Sequence, residues 1–172
     1  MPRPSFVPMA VMIRTQRLIL RPWNDDDVGH YGALIAERGD GVPSPETVRA
    51  KITAQHDQMA KAGIGLLAIR RRADDGFVGY CGLTAGRASV EEPEVAYELL
   101  RREWGHGLAT EAAMAIVDAA RATGRRRLWA TIGSWNRRSL RVAEKIGFHR
   151  HHCTNEDRGE VTWMTRMLET PG

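Results

Sequence analysis

The run Arg102-Glu103-Trp104-Gly105-His106-Gly107-Leu108-Ala109-Thr110 combines the residue types and the spacing most able to do chemistry in this chain. Two glycines two apart let a backbone turn tightly and leave its N–H groups pointing outward. Where such a turn opens a helix, the amides and the helix dipole together favour an anion such as a pyrophosphate. Arg102 adds a guanidinium fork that matches phosphate oxygens. The same Gly-x-Gly also occurs as a plain tight turn, and the run by itself leaves both readings open. It is not a nucleotide P-loop, because no Gly-Lys-Ser/Thr follows. Nor is it a dinucleotide fingerprint, which needs a third glycine and an acid about twenty residues on.

The elements that must hold this run follow from pattern. Residues 12–20 read as a strand that Arg21-Pro22 stops. Asn24 or Asp25 caps a helix through Tyr31 and Leu34, which Gly39, Gly41 and Pro43 end. Ser44 caps a second helix, Pro45 to Lys61, with Gly63 beyond it. Leu66 to Ile69 and Phe77 to Leu83 form a hairpin around Asp75-Gly76. In the next strand, residues 94–100, Val95, Tyr97 and Leu99 share one face and Glu94, Ala96 and Glu98 the other. The helix over 107–123 has the clearest apolar period, and Gly124 ends it. A strand (127–132), a helix (136–145), a strand from Phe148 and a last strand (161–168) complete the order β-α-α-β-β-β-α-β-α-β-β.

The chain has 172 residues, 42% hydrophobic and 27% charged, enough for one domain with a real core. Residues 1–11, with three prolines, read as a frayed leader before a domain over 12–170. The net charge is +4, and all but three of the 25 basic residues are arginines. That bias suits a GC-rich genome and only slightly favours phosphate ligands. Two cysteines exclude a disulfide framework, and no apolar run approaches the roughly 18 residues of a membrane span. With no signal segment, the expected location is cytoplasmic, with no membrane partner.

Arg102-x-x-Gly105-x-Gly107 resembles the Gln/Arg-x-x-Gly-x-Gly/Ala signature of the GNAT acyltransferases, and GHGLATEA is similar to their Rim-type, ribosomal-protein N-terminal branch. Asn136-Arg137-Arg138-Ser139, followed by the run Leu140 to Phe148, resembles that branch's second signature. Arg17-Leu18-x-Leu20-Arg21 and Gly79-x-x-Gly82-Leu83 fit as well, so the resemblance covers residues 14 to 168. It implies a single-domain α/β GNAT fold. Its sheet would be mixed and mostly antiparallel, of about six to seven strands, flanked by helices and splayed at the fourth and fifth.

The resemblance further implies acetyl-CoA as co-substrate and no metal. Backbone of the fourth strand, about Glu98, Leu99 and Leu100, would pair with the pantetheine arm as an added strand does. The amides of Arg102, Gly105, His106, Gly107, Leu108, Ala109 and Thr110 would bind the pyrophosphate, and Asn136 the pantetheine region. Acetyl transfer to an amine needs a base, a donor for the developing oxyanion and a proton for the thiolate. Glu94 stands where the family keeps its catalytic glutamate, with Glu98 as fallback; a plain solvent-facing strand position is the alternative for both. The tyrosine acid of many members is replaced by Ala143, and the branch's Asn-x-x-Ser serine, here Ser139, would serve the sulfur side or merely cap a helix.

His149, His151 and Cys153 alternate as one strand face would, yet no second ligand pair makes them a zinc site, and they read as an imidazole-rich strand beside the substrate channel. Arg121 and Arg125 to Arg127 are candidates for the CoA 3′-phosphate or simple helix-end charges. The acceptor is expected to be a primary amine, either a protein or peptide N-terminus or a small molecule. By resemblance, residues 24–62 and 150–165 wall its cleft, with Asp25, Asp26, Asp27, Asp40, Glu156, Asp157 and Glu160. The rival readings are a catalytically silent acyl-CoA-binding regulatory module and a nucleic-acid binder; the latter is disfavoured because acids dilute the basic field. A homodimer is compatible with the family, and nothing in the sequence decides it.

Overall fold

The structure is a computed structural model that describes residues 5–169. Its first half runs β1 (Ile13–Arg14), β2 (Leu18–Arg21), α1 (Val28–Ala36), α2 (Pro45–Ala62), β3 (Leu66–Arg71), β4 (Phe77–Thr84) and β5 (Glu94–Leu99). The second half runs α3 (Leu108–Arg121), β6 (Arg127–Gly133), α4 (Arg137–Lys145), β7 (His149–Glu156) and β8 (Gly159–Met167). All eight strands join one sheet in the order β1-β2-β3-β4-β5-β6-β8-β7. Every neighbouring pair is antiparallel except β5–β6, which is parallel and crosses over through α3.

The α/β sheet is therefore the one expected, with one strand more than the sequence suggested. The first expected strand is a small hairpin instead. Thr15 turns it by accepting the Leu18 amide on its hydroxyl at 3.0 Å while its own amide donates to the Leu18 carbonyl. A polar side chain competing for the backbone in this way breaks a strand that propensity alone would run through.

Helices cover both faces, giving three layers and two cores. Under α1 and α2 lie Trp23, Tyr31, Leu34, Val48, Phe77 and Leu100. Under α3 and α4 lie Leu83, Val95, Leu99, Ile116, Leu128 and Phe148. Ser44 caps α2 by accepting the Thr47 amide, and Gly63 ends it in the left-handed region. Gly79 and Gly82 are glycines for space: a Cβ there would sit 2.1 Å from the Glu98 and Gly65 carbonyl oxygens of the flanking strands.

One buried charge cluster fixes α1 to the sheet. Asp27 accepts from Arg21 at 2.8 Å and from Arg70 at 2.6 Å, and also from the Asn24 amide. Burial works against its charge, but the bonds from Arg21, Asn24 and Arg70 outweigh that and hold the carboxyl below its usual range.

Residues 1–4 of the expected leader lie outside the described residues. The following part is docked rather than frayed: Met9 is 3% exposed and its amide donates to Gly63, while the Val7 amide donates to Thr123. No described helix is long and apolar enough to cross a membrane.

Candidate active site

β5 and β6 are in register only where Glu94 faces Trp129, and beyond that point they part. Their separation leaves one edge of β5 free. Antiparallel pairing alternates, so residues whose amides and carbonyls bond one neighbour leave the next residue's groups for the other. The Leu100 amide is spent on the Val78 carbonyl, and Glu98 faces Tyr80 in the same phase. Tyr97 and Leu99 therefore present their main chain to the gap. Of the three backbone positions expected to pair with pantetheine, Leu99 faces the gap; Glu98 and Leu100 turn to β4, and Tyr97 takes the second place. The Leu99 carbonyl now accepts the Trp104 indole N–H at 2.9 Å, and Arg138 of α4 lies over that indole at 5.1 Å.

The gap leads to the glycine run. Gly105 and Gly107 have φ of +82° and +76°, the region that favours glycine, and α3 starts at Leu108. None of the six amides from Gly105 to Thr110 donates to a described protein group; the first that does is Glu111, to the Gly107 carbonyl. Arg17 holds the turn from below, donating to the His106 carbonyl at 2.8 Å and lying 3.4 Å from Glu111. A cleft of about 690 Å³ lined by Arg17, Arg72 and His106 opens beside it. Six consecutive unpartnered amides at a helix start fit a pyrophosphate. Arg102 stands at the rim with a 65% exposed side chain, 3.5 Å from Glu103.

Glu94 sits where the strands meet, and it is 5% exposed. Its Oε1 accepts the Arg87 and Ala88 amides at 2.5 and 3.1 Å, and its Oε2 accepts the Thr131 hydroxyl at 2.7 Å. Gly86 lets the 85–93 loop close on it, since a Cβ there would lie 2.8 Å from the carboxylate. Arg87 carries this loop across to β7 by a two-pronged pair with Glu156, and it also donates to Thr131. Glu98, the fallback base, is held by both prongs of Arg38 at 3.0 and 2.5 Å and by the Tyr80 hydroxyl at 2.9 Å. Those bonds occupy both of its carboxylate oxygens and make it a clasp between the turn after α1 and β5.

Across the gap, the Asn136 side chain caps α4 by accepting the Ser139 amide at 3.2 Å. Ser139 is half-buried, and its carbonyl accepts the Tyr97 hydroxyl at 2.6 Å. Burial pushes the Tyr97 phenol up, so it remains a donor.

Other expectations change. A register shift between Arg150 and His152 sets His151 beside His152, with Nδ1 atoms 2.8 Å apart and both rings against Trp129. The alternation that would align His149, His151 and Cys153 is thus broken, and no described group of three His, Cys, Asp or Glu residues could hold a metal. The arginine cluster lies at the far end of the 14-residue α3, about 21 Å along its axis from the glycine turn. Arg125 is 2% exposed there, bound to the Val90 and Ala62 carbonyls, and Arg127 lies over Trp129 at 4.2 Å. Of the acids meant for the acceptor, Asp27 is consumed by arginines and Glu156 by Arg87. Asp25, Asp26 and Asp40 are exposed around α1, and Asp157 and Glu160 lie beside Trp135 and Arg158 in a cleft of about 620 Å³.

Sequence reasoning passed over three contributors. Arg17 was visible only as part of a motif, Tyr97 only as an apolar-face residue, and Thr131 left no signal.

Comparison with known proteins follows this geometry. A family model for the acetyltransferase (GNAT) domain matches residues 17–149. The uncharacterized protein YkkB of Bacillus subtilis is 30% identical over 145 residues, spanning 78% of this chain and 83% of YkkB. An acetyltransferase structure from Agrobacterium tumefaciens str. C58 superposes with a TM-score of 0.77 at 26% identity, covering 96% and 99% of the two chains. RimL, a ribosomal L7/L12 alpha-N-protein acetyltransferase solved with coenzyme A, gives 0.78 at 17% identity over 91% and 98%. At that identity the likeness is one of fold.

Proposed function

The chain belongs to the GNAT acetyltransferase family, and from that premise we propose that it moves an acetyl group from acetyl-CoA to a primary amine by direct attack in a ternary complex. The observation that carries this reading is the run of six unpartnered amides joined to the free edge of β5. Acetyl-CoA supplies an activated thioester and a thiolate leaving group.

The chain's own residues do the rest. Amides 105–110 and Arg102 bind the diphosphate, while Tyr97 and Leu99 pair with the amide-bearing arm as a further strand. Trp104 gives up the Leu99 carbonyl when that arm enters. Glu94 accepts the amine proton through a water at Oε2, because Oε2 has one partner and Oε1 has two. Ser139 donates its hydroxyl at the sulfur side. A modest donor suffices there, since a thiol with pKa near 8.5 leaves far more readily than an alcohol. Neither cysteine is placed for a covalent intermediate: Cys81 is fully buried, its thiol pushed up by burial, and the exposed Cys153 turns its thiol to the Thr162 hydroxyl.

Support for the acceptor is coarser. Likeness to RimL puts a protein N-terminus first among the amines to try, and the acids at Asp157 and Glu160 suit a cationic group. A second reading, a silent acyl-CoA-binding module, draws support from the complete engagement of Glu94. Gly105→Val tests the cradle that the two readings share, and Glu94→Gln, assayed alongside the wild type, separates them. Both readings expect the Gly105 variant to lose CoA affinity by calorimetry, and unchanged affinity in a folded variant rejects both. Only the enzyme shows thiol release that depends on an amine and falls with the Glu94 change.

A further inference from the structure

We propose that Tyr97 is a positioning residue for the acetyl transfer: its hydroxyl, donated to the Ser139 carbonyl, sets Ser139 against the gap between β5 and β6. The proposal rests on the functional reading above, and its observations are separate.

Beyond Glu94 and Trp129, β5 and β6 share no register, so main-chain bonding does not hold the two sides of the gap together. Tyr97 spans it. Its side chain leaves β5 on the face that packs toward α3 and α4, and its hydroxyl meets the Ser139 carbonyl at 2.6 Å, 42 residues away in sequence. Among the described residues this is the only hydrogen bond between β5 and α4. The accepting carbonyl lies in the first turn of α4, where the helical ladder pairs residue 139 with the amide of residue 143, so the phenol joins that rung.

The consequence falls on one side chain. The Ser139 amide is fixed by Asn136 at 3.2 Å and its carbonyl by Tyr97, so both main-chain groups of the residue are anchored. What remains free is the hydroxyl rotor, which has no partner among the described residues. Ala143 supplies no long side chain to the sulfur side, so placement of the Ser139 hydroxyl is what that side depends on. A phenol suits the task. It donates without titrating near neutrality, and its ring stays packed against the core when the hydroxyl is removed.

The test is Tyr97→Phe in wild-type and Ser139→Ala backgrounds, with kcat, KM for acetyl-CoA, CoA affinity and Tm measured for all four proteins. Loss of one net hydrogen bond corresponds to a factor of about three to ten, so kcat of Tyr97→Phe should fall by that factor with KM and CoA affinity nearly unchanged. In the Ser139→Ala background the same change should cost nothing further, the non-additivity expected of residues acting as a unit. An unchanged kcat, or an equal fold-loss in both backgrounds, overturns the proposal. So does a loss confined to Tm and CoA affinity, which marks a purely structural bond. A wild type that binds CoA and acetylates no amine contradicts the functional reading itself, an outcome visible before any Tyr97 variant is compared.

Discussion

Both carboxylate oxygens of Glu94 are occupied, and that decides how the residue can act. Oε1 is saturated by two loop amides, so a proton must arrive at Oε2 beside Thr131. Glu94→Gln can keep the accepting oxygen toward the amides while losing the base. We expect kcat to fall by about a hundredfold or more, the usual share of general-base catalysis, with CoA affinity by calorimetry within twofold or so. Turnover unchanged in that variant would assign Glu94 to the loop alone. Arg17 belongs to the same scale. Removing its bond to the His106 carbonyl in Arg17→Ala frees a peptide plane of the cradle. CoA affinity should weaken by about three- to tenfold, one net hydrogen bond; equal affinity in a folded variant means the turn holds itself.

Among the elements, α1 is tied down by electrostatics as much as by packing. Asp27 lies between Arg21 and Arg70 with its side chain fully buried, so Asp27→Asn leaves two guanidinium groups without their counter-charge. A cost of about 3 kcal/mol or more is expected from breaking a buried pair, read as a lower urea midpoint. The pH dependence follows from the depressed carboxyl. A folded-state pKa below the unfolded value, about 3.9, contributes stability that is present above that value and lost as pH falls through the folded one. Stability should therefore be level above about pH 5 and decline below about pH 4, and the Asn variant should lack this share of the decline. The caps at Asn24 and Ser44 were legible because capping is local chemistry, whereas the cap of α4 falls on Asn136 and not on Ser139. The hairpin at Thr15 and the offset at His151–His152 were not, since each depends on one side chain or one extra residue competing with a regular period.

For the molecule as a whole, the order of strands and helices and the glycine run could be read from pattern, because both are set by short-range periodicity and glycine placement. The partners of the charged residues could not. Arg87 with Glu156, Arg38 with Glu98 and Tyr97 with Ser139 join segments far apart in sequence, and no spacing announces them. The amino-terminal segment belongs to this class too. Met9→Ala, at a position 3% exposed, should destabilise by about 2 kcal/mol or more as a buried large-to-small change, seen as a lower Tm. An unaltered Tm would return that segment to a frayed leader.

The most direct test is thiol release from acetyl-CoA by the full chain, with and without a panel of N-terminal peptides, amino acids, polyamines and aminoglycosides, and with Glu94→Gln as control. The account predicts release that requires one class of amine, an acetylated product by mass, and a sharp fall in the Glu94 variant. No release with any amine, from a protein whose melting temperature coenzyme A nonetheless raises, would contradict it and leave a CoA-binding module.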